Sequence, residues 1–159
     1  MQLALFDIAP AQPTVDLPLA RPLPANPRVL HTQDCYFETI VDKAWRLEIG
    51  IGRNSAGYHH ADSHMTGWSG HAAPVFVGPN PQPDFATARH AAWQSLIDRL
   101  TRELTGPNYS HLSDGQKATL RAMIERGIEA AARNLAKVKG RHHAEIAMNR
   151  LQATLAASE

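Results

Sequence analysis

Five side chains able to move a proton or hold a metal crowd into one short stretch: His59, His60, Asp62, His64 and His71. Neutral imidazoles with a carboxylate form a donor set suited to zinc and other borderline metals, and imidazole titrates near neutral pH. His60 and His64 would share a face on a helix. Gly57, Gly67 and Gly70 oppose such a helix, and the chain has no Cys-x-x-Cys or His-Glu-x-x-His pattern. The stretch therefore reads first as a polar loop with exposed histidines. A metal-dependent enzyme built on His59, His60, His64 and His71 is the remoter alternative. The nucleophiles offer less. Cys35 follows Asp34 without an activating neighbour, and as a strand residue it is expected to be buried and inert. Ser63 and Ser69 have histidines close in sequence, but triads draw on distant residues. Gly50-x-Gly52 is too little for a phosphate loop. No catalytic residue, metal or cofactor is assigned.

A second cluster is electrostatic. Arg133, Lys137, Lys139, Arg141, His142 and His143 stand with no acid between Glu129 and Glu145. Such a tip could meet phosphate with salt-sensitive affinity. The nearby sequence has no aromatic residue for stacking on bases, so base recognition is not implied. The plainer reading is a solvated helix end, where cations also suit the helix dipole.

A third stretch is apolar and lies at the start of the chain. Met1–Ile8 reads Met-Gln-Leu-Ala-Leu-Phe-Asp-Ile, and six prolines follow between Pro10 and Pro27. Proline removes amide donors and favours extended chain, so residues 9–30 are expected to form a tether. Exposed Leu3, Leu5 and Phe6 at its tip would cost solubility unless something covers them. Gln2-Leu3-Ala4-Leu5-Phe6 resembles the QLxLF peptide by which bacterial polymerases and repair factors dock on the replication sliding clamp. The resemblance covers five residues. It implies hydrogen bonding by Gln2, burial of Leu3, Leu5 and Phe6 in an apolar pocket, and tolerance at Ala4. The alternative is a strap or edge strand in which Leu3, Leu5, Phe6 and Ile8 pack on the protein's own sheet.

The elements that must position these residues follow from periodicity. Cys35–Val41 alternates in polarity, Asp42-Lys43 is a turn, and Trp45, Leu47, Ile49 and Ile51 share one face of a second strand. Gly52–Gly70 reads as loop with a short strand near Met65–Trp68, Ala73–Val77 as a third strand, and Pro79, Pro81 and Pro83 as its end. A helix follows from Asp84 or Thr87 to Leu104, with Phe85, Ala88, Ala92, Trp93, Leu96, Ile97, Leu100 and Leu104 as its apolar stripe. Arg89, Arg102 and Glu103 fall off that stripe. The β-β-β-α order resembles the back part of a double-stranded-RNA-binding domain. Thr87-Ala88-Arg89-His90 stands where that family has a lysine-rich helix start, so the resemblance does not carry RNA binding. Ser113 with Gln116 forms a capping-box signature for a helix to Val138. Gly140 should stop it, and a second helix, His142–Ala156, should fold back. This hairpin either covers the sheet or pairs with a second copy of the chain.

The totals bound the rest. The 159 residues suit one domain with an appendage, and the net charge of +1 excludes a chain that grips phosphate along its whole length. The single cysteine allows no internal disulfide, which fits a reducing cytosol. No apolar run approaches the ~20 residues of a membrane span. Asp7 interrupts any signal-peptide core, so a cytoplasmic location is expected. The expected fold is α+β: a small antiparallel three-stranded sheet with one packed helix, followed by a helical hairpin. Its parts are a Pro-rich leader (1–34), a β-β-β-α module (35–104) and the hairpin (113–159). The expected function is that of a small non-catalytic bacterial or phage accessory protein, docked on a sliding clamp and acting near DNA. The alternatives are a module that binds nucleic acid, or inhibits an enzyme of nucleic acid, through Arg133, Lys137, Lys139 and Arg141, and the histidine-based metal enzyme.

Overall fold

The computed structural model describes residues 17–43, 45–66, 69–105 and 109–156; the side chains of Thr66, Ser69, Thr105 and residues 138–156 lie outside that description. The elements are β1 (Pro22–Leu23), β2 (Asn26–Leu30), β3 (Tyr36–Val41), β4 (Trp45–Asn54), β5 (Gly57–Thr66), β6 (Ser69–His71), α1 (Phe85–Thr105) and α2 (Asp114–Ala156). Strands β3-β4-β5-β6 form an antiparallel meander, and β1 with β2 forms a small separate ribbon. The α+β class is as expected, but the main sheet has four strands rather than three.

The centre of the sheet follows the alternation in sequence. Trp45, Leu47, Ile49 and Ile51 turn one face of β4 towards the helices and are all buried. Against them lie Ala88, Ala92, Trp93, Leu96 and Leu100 of α1, and Leu120, Ile124 and Ala131 of α2. This is the main core, where apolar area is withdrawn from water. Asp84 caps α1, accepting from the Thr87 N–H at 2.7 Å. The Ser113–Gln116 capping box is present: Ser113 N–H donates to Gln116 Oε1, and Gln116 N–H to Ser113 Oγ.

Three expectations change. Gly52–Gly70 is not a loop: residues 57–66 are a ten-residue strand paired along β4 from Asn54↔Gly57 to Trp45↔Thr66. Gly57 makes the turn possible, since its φ of +139° is a region that side chains avoid. Ala73–Val77 does not join the main sheet. It crosses the sheet's other face and pairs with β2, through Leu30 N–H to Val75 O and Val77 N–H to Arg28 O. Gly140 does not end a helix, and α2 is continuous for 43 residues. It runs back along α1, with Gly127 beside Leu100 and Asn134 sharing a partner with Arg89, and then goes on past that level.

The leader also differs from a tether over its second half. Leu17 is buried in the main core, and Ala20 N–H donates to Arg53 O. Ala20, Leu30, Ala61 and Val75 form a second, smaller core on the face of the sheet away from the helices. Gly50 and Gly52 leave the room for it. A Cβ at Gly52 would lie 2.6 Å from Leu30 Cδ1 and 2.8 Å from Cys35 Sγ. Prolines here bracket short pairings with the body instead of freeing the chain from it. Residues 1–16 lie outside the described residues.

Candidate functional site

Successive side chains of a strand point to opposite faces, so β5 divides the histidine cluster. His59 lies on the face away from the helices. Its Nδ1 accepts from the Gly78 N–H at 3.2 Å, and its Nε2 lies 3.0 Å from Asn54 Oδ1. That pattern makes Nε2 the protonated nitrogen of a neutral ring. It ties the 72–78 crossing to the β4–β5 turn. His60, Asp62 and His64 face the helices, and His71 on β6 lies directly across from His64. The four histidines thus do not form one set. Among the described residues no three His, Cys, Asp or Glu side chains converge so as to hold a metal ion.

The helix-facing row makes polar contacts with α1, one of them an ion pair. Asp62 is buried and accepts from Ser95 Oγ at 2.8 Å and from Arg99 Nε. His64, whose side chain is 0% exposed, has Nε2 2.7 Å from Glu103 Oε1. Its Nδ1 has no hydrogen-bond partner among the described residues. Burial pushes the His64 pKa below its ordinary value, and the pull of Glu103 does not make up the difference. Burial likewise depresses His59 and His60. These rings are held neutral inside the fold, rather than displayed on a loop.

A matching cluster lies on the other side of β4. Glu38 of β3 receives Arg89 in a two-pronged pair at 2.6 and 2.8 Å and Asn134 Nδ2 at 2.9 Å, with the Tyr36 hydroxyl 3.4 Å away. Burial disfavours its charge, but the hydrogen bonds from Arg89 and Asn134 outweigh that and lower its pKa. Both clusters tie the sheet to the helices through charge-assisted bonds. Arg89 and Glu103, expected off the packed stripe, face these polar rows instead. The signal available in sequence was a carboxylate on an alternating strand and an arginine flanking the helix stripe. Alternation alone leaves open which side of β3 faces inward. Cys35, expected as a buried strand residue, lies at the bend just before β3 and is half-buried, and burial raises its thiol to a pKa of about 11.

The basic stretch falls on one unbroken helix. Arg133 and Lys137 are exposed on α2, and Arg133 lies 3.9 Å from Glu129 one turn earlier. Both border a cavity of about 400 Å3 between α2 and the β3–β4 turn, lined also by Ile40, Asp42, Trp45 and Ala130. Lys139 and Arg141 belong to the helical backbone, but their side chains lie outside the described residues. Positions 133, 137 and 141 recur at four-residue spacing, which puts them on one side of a continuous helix. Gln2, Leu3, Leu5 and Phe6 also lie outside the described residues. No helix among the described residues is long and apolar enough to cross a membrane. Comparison with family models, curated proteins and solved structures gives no match.

Proposed function

We propose that the chain is a non-catalytic accessory protein that docks on a replication sliding clamp through Gln2-Leu3-Ala4-Leu5-Phe6 and acts near DNA. The observation that carries this reading is the peptide itself, placed ahead of a body whose described part is anchored at Leu17. Residues 7–16 span at most about 33–36 Å when extended, enough reach to place the peptide beyond the body. Burial of Leu3, Leu5 and Phe6 at about 1.5–3 kcal/mol each gives roughly 5–9 kcal/mol gross. Ordering the peptide takes back several kcal/mol, so a single peptide binds in the micromolar range or more weakly. Titrating a bacterial clamp by calorimetry tests this. The wild type should bind, and a variant carrying Leu5→Ala and Phe6→Ala should lose the heat. Equal heats from both would remove the reading.

A second reading has an observation of its own. The helix continuing through Gly140 supports a basic face with Arg133, Lys137 and Arg141 in line, suited to tracking phosphates rather than reading bases. Duplex retardation that weakens steeply with salt, and is lost on neutralising Lys137, Lys139 and Arg141, is the expected outcome. Retardation indifferent to salt would contradict it.

A further inference from the structure

The edge of β3 that no described strand covers carries an inference independent of the functional reading. The strand order places β3 at one end of the sheet. The Asp42 N–H donates to Trp45 O, which makes Asp42 and Trp45 a hydrogen-bonded pair. Pairs alternate in an antiparallel ladder. Ile40↔Leu47, Glu38↔Ile49 and Tyr36↔Ile51 are therefore bonded, and Val41↔Arg46, Thr39↔Glu48 and Phe37↔Gly50 are not. The N–H and C=O of Phe37, Thr39 and Val41 thus point away from β4. Among the described residues no strand lies on that side; Leu19 flanks β4 only further along, at Arg53. On the same three residues, Phe37 is 39% and Val41 69% exposed.

Proteins blunt such edges with proline, lysine, bulges or inward-turned charge. Strand Tyr-Phe-Glu-Thr-Ile-Val has no proline, lysine or bulge; its one charge, Glu38, is turned inward but is already satisfied there by Arg89 and Asn134. Its β-branched and aromatic residues favour pairing.

We propose that this edge pairs with β3 of a second copy of the chain about a two-fold axis, joining two four-stranded sheets into one. One register satisfies every outward group. Thr39 lies opposite the partner's Thr39, and Phe37 opposite the partner's Val41. Each such pair exchanges both its N–H···O=C bonds. The exposed Phe37 then packs beside the partner's Val41, a favourable aromatic and β-branched cross-strand pair. Charge is compatible along the seam. Glu38 falls opposite the partner's Ile40, and Lys43 is carried towards the partner's Asp34, whose carboxylate lies at the surface beside Arg21. The contact is isologous and closed, so it stops at two copies. A strand edge alone is small beside a standard interface, so the expected dissociation constant is micromolar.

Sedimentation equilibrium with amide hydrogen exchange on the full-length chain tests this. The expected result is a monomer–dimer equilibrium, with protection at the Phe37, Thr39 and Val41 amides that rises with protein concentration. Thr39→Pro removes an outward donor without touching the β3–β4 ladder, and should weaken the dimer at least tenfold. Should Thr39→Pro fail to fold, Val41→Lys provides the same test from an exposed side chain. A monomer up to high micromolar concentration would overturn the proposal. So would protection that is the same at every concentration, the sign of an edge covered within one chain. A dimer indifferent to both substitutions would also overturn it.

Discussion

Glu38 and Asp62 sit on the two strands that flank β4, and each is held by an arginine of α1. Removing one partner strands the other in a site with little water. Glu38→Ala is therefore expected to cost about 3 kcal/mol in urea unfolding. A loss near zero would show that the pair contributes only a surface contact. The buried histidines set a pH dependence. His59, His60 and His64 have folded pKa values below their ordinary value. At intermediate pH the unfolded chain then binds more protons than the folded one, so stability rises with pH. The contribution is full above about pH 6.5 and is lost as pH falls through the lowered folded values. Urea midpoints should drop between about pH 7 and pH 5, and His64→Phe should flatten that drop. A midpoint that rises on acidification would contradict the burial argument. These residues were legible as titratable, but not as buried. A histidine carries no mark of its surroundings, and four of them among glycines look alike in a loop and in a strand.

At the scale of elements, β4 was legible because one of its faces is wholly apolar. The strand beside it was not. β5 mixes polar residues with apolar Tyr58 and Ala61: its helix side also meets Ser95, Arg99 and Glu103, and its far side is bonded by Gly78 and Ala73 backbone. Hydrophobic alternation cannot detect a strand whose partners are ions and amides. The leader failed for a related reason, since proline content reports lost donors and not the few that remain, such as Ala20 N–H. Glycine misled in α2. In a continuous helix Gly140→Ala should stabilise by up to about 1 kcal/mol and raise the helical circular-dichroism signal. In a hairpin turn with Gly140 left-handed the same change would destabilise. Ser113→Ala should cost about 1 kcal/mol, since the capping box is formed at the start of α2.

Across the whole molecule, a body anchored from Leu17 onward carries its two cores on opposite faces of one sheet. The functional proposal places the partner-binding residues ahead of that body, in Gln2–Phe6, and asks the body to stay as it is. Nuclear magnetic resonance on the labelled full-length protein tests that division most directly. On adding clamp, amide signals of Gln2–Ile8 should shift or broaden, while those of β4 and β5 keep their positions. Unchanged Gln2–Ile8 signals, with or without shifts in the sheet, would contradict the account.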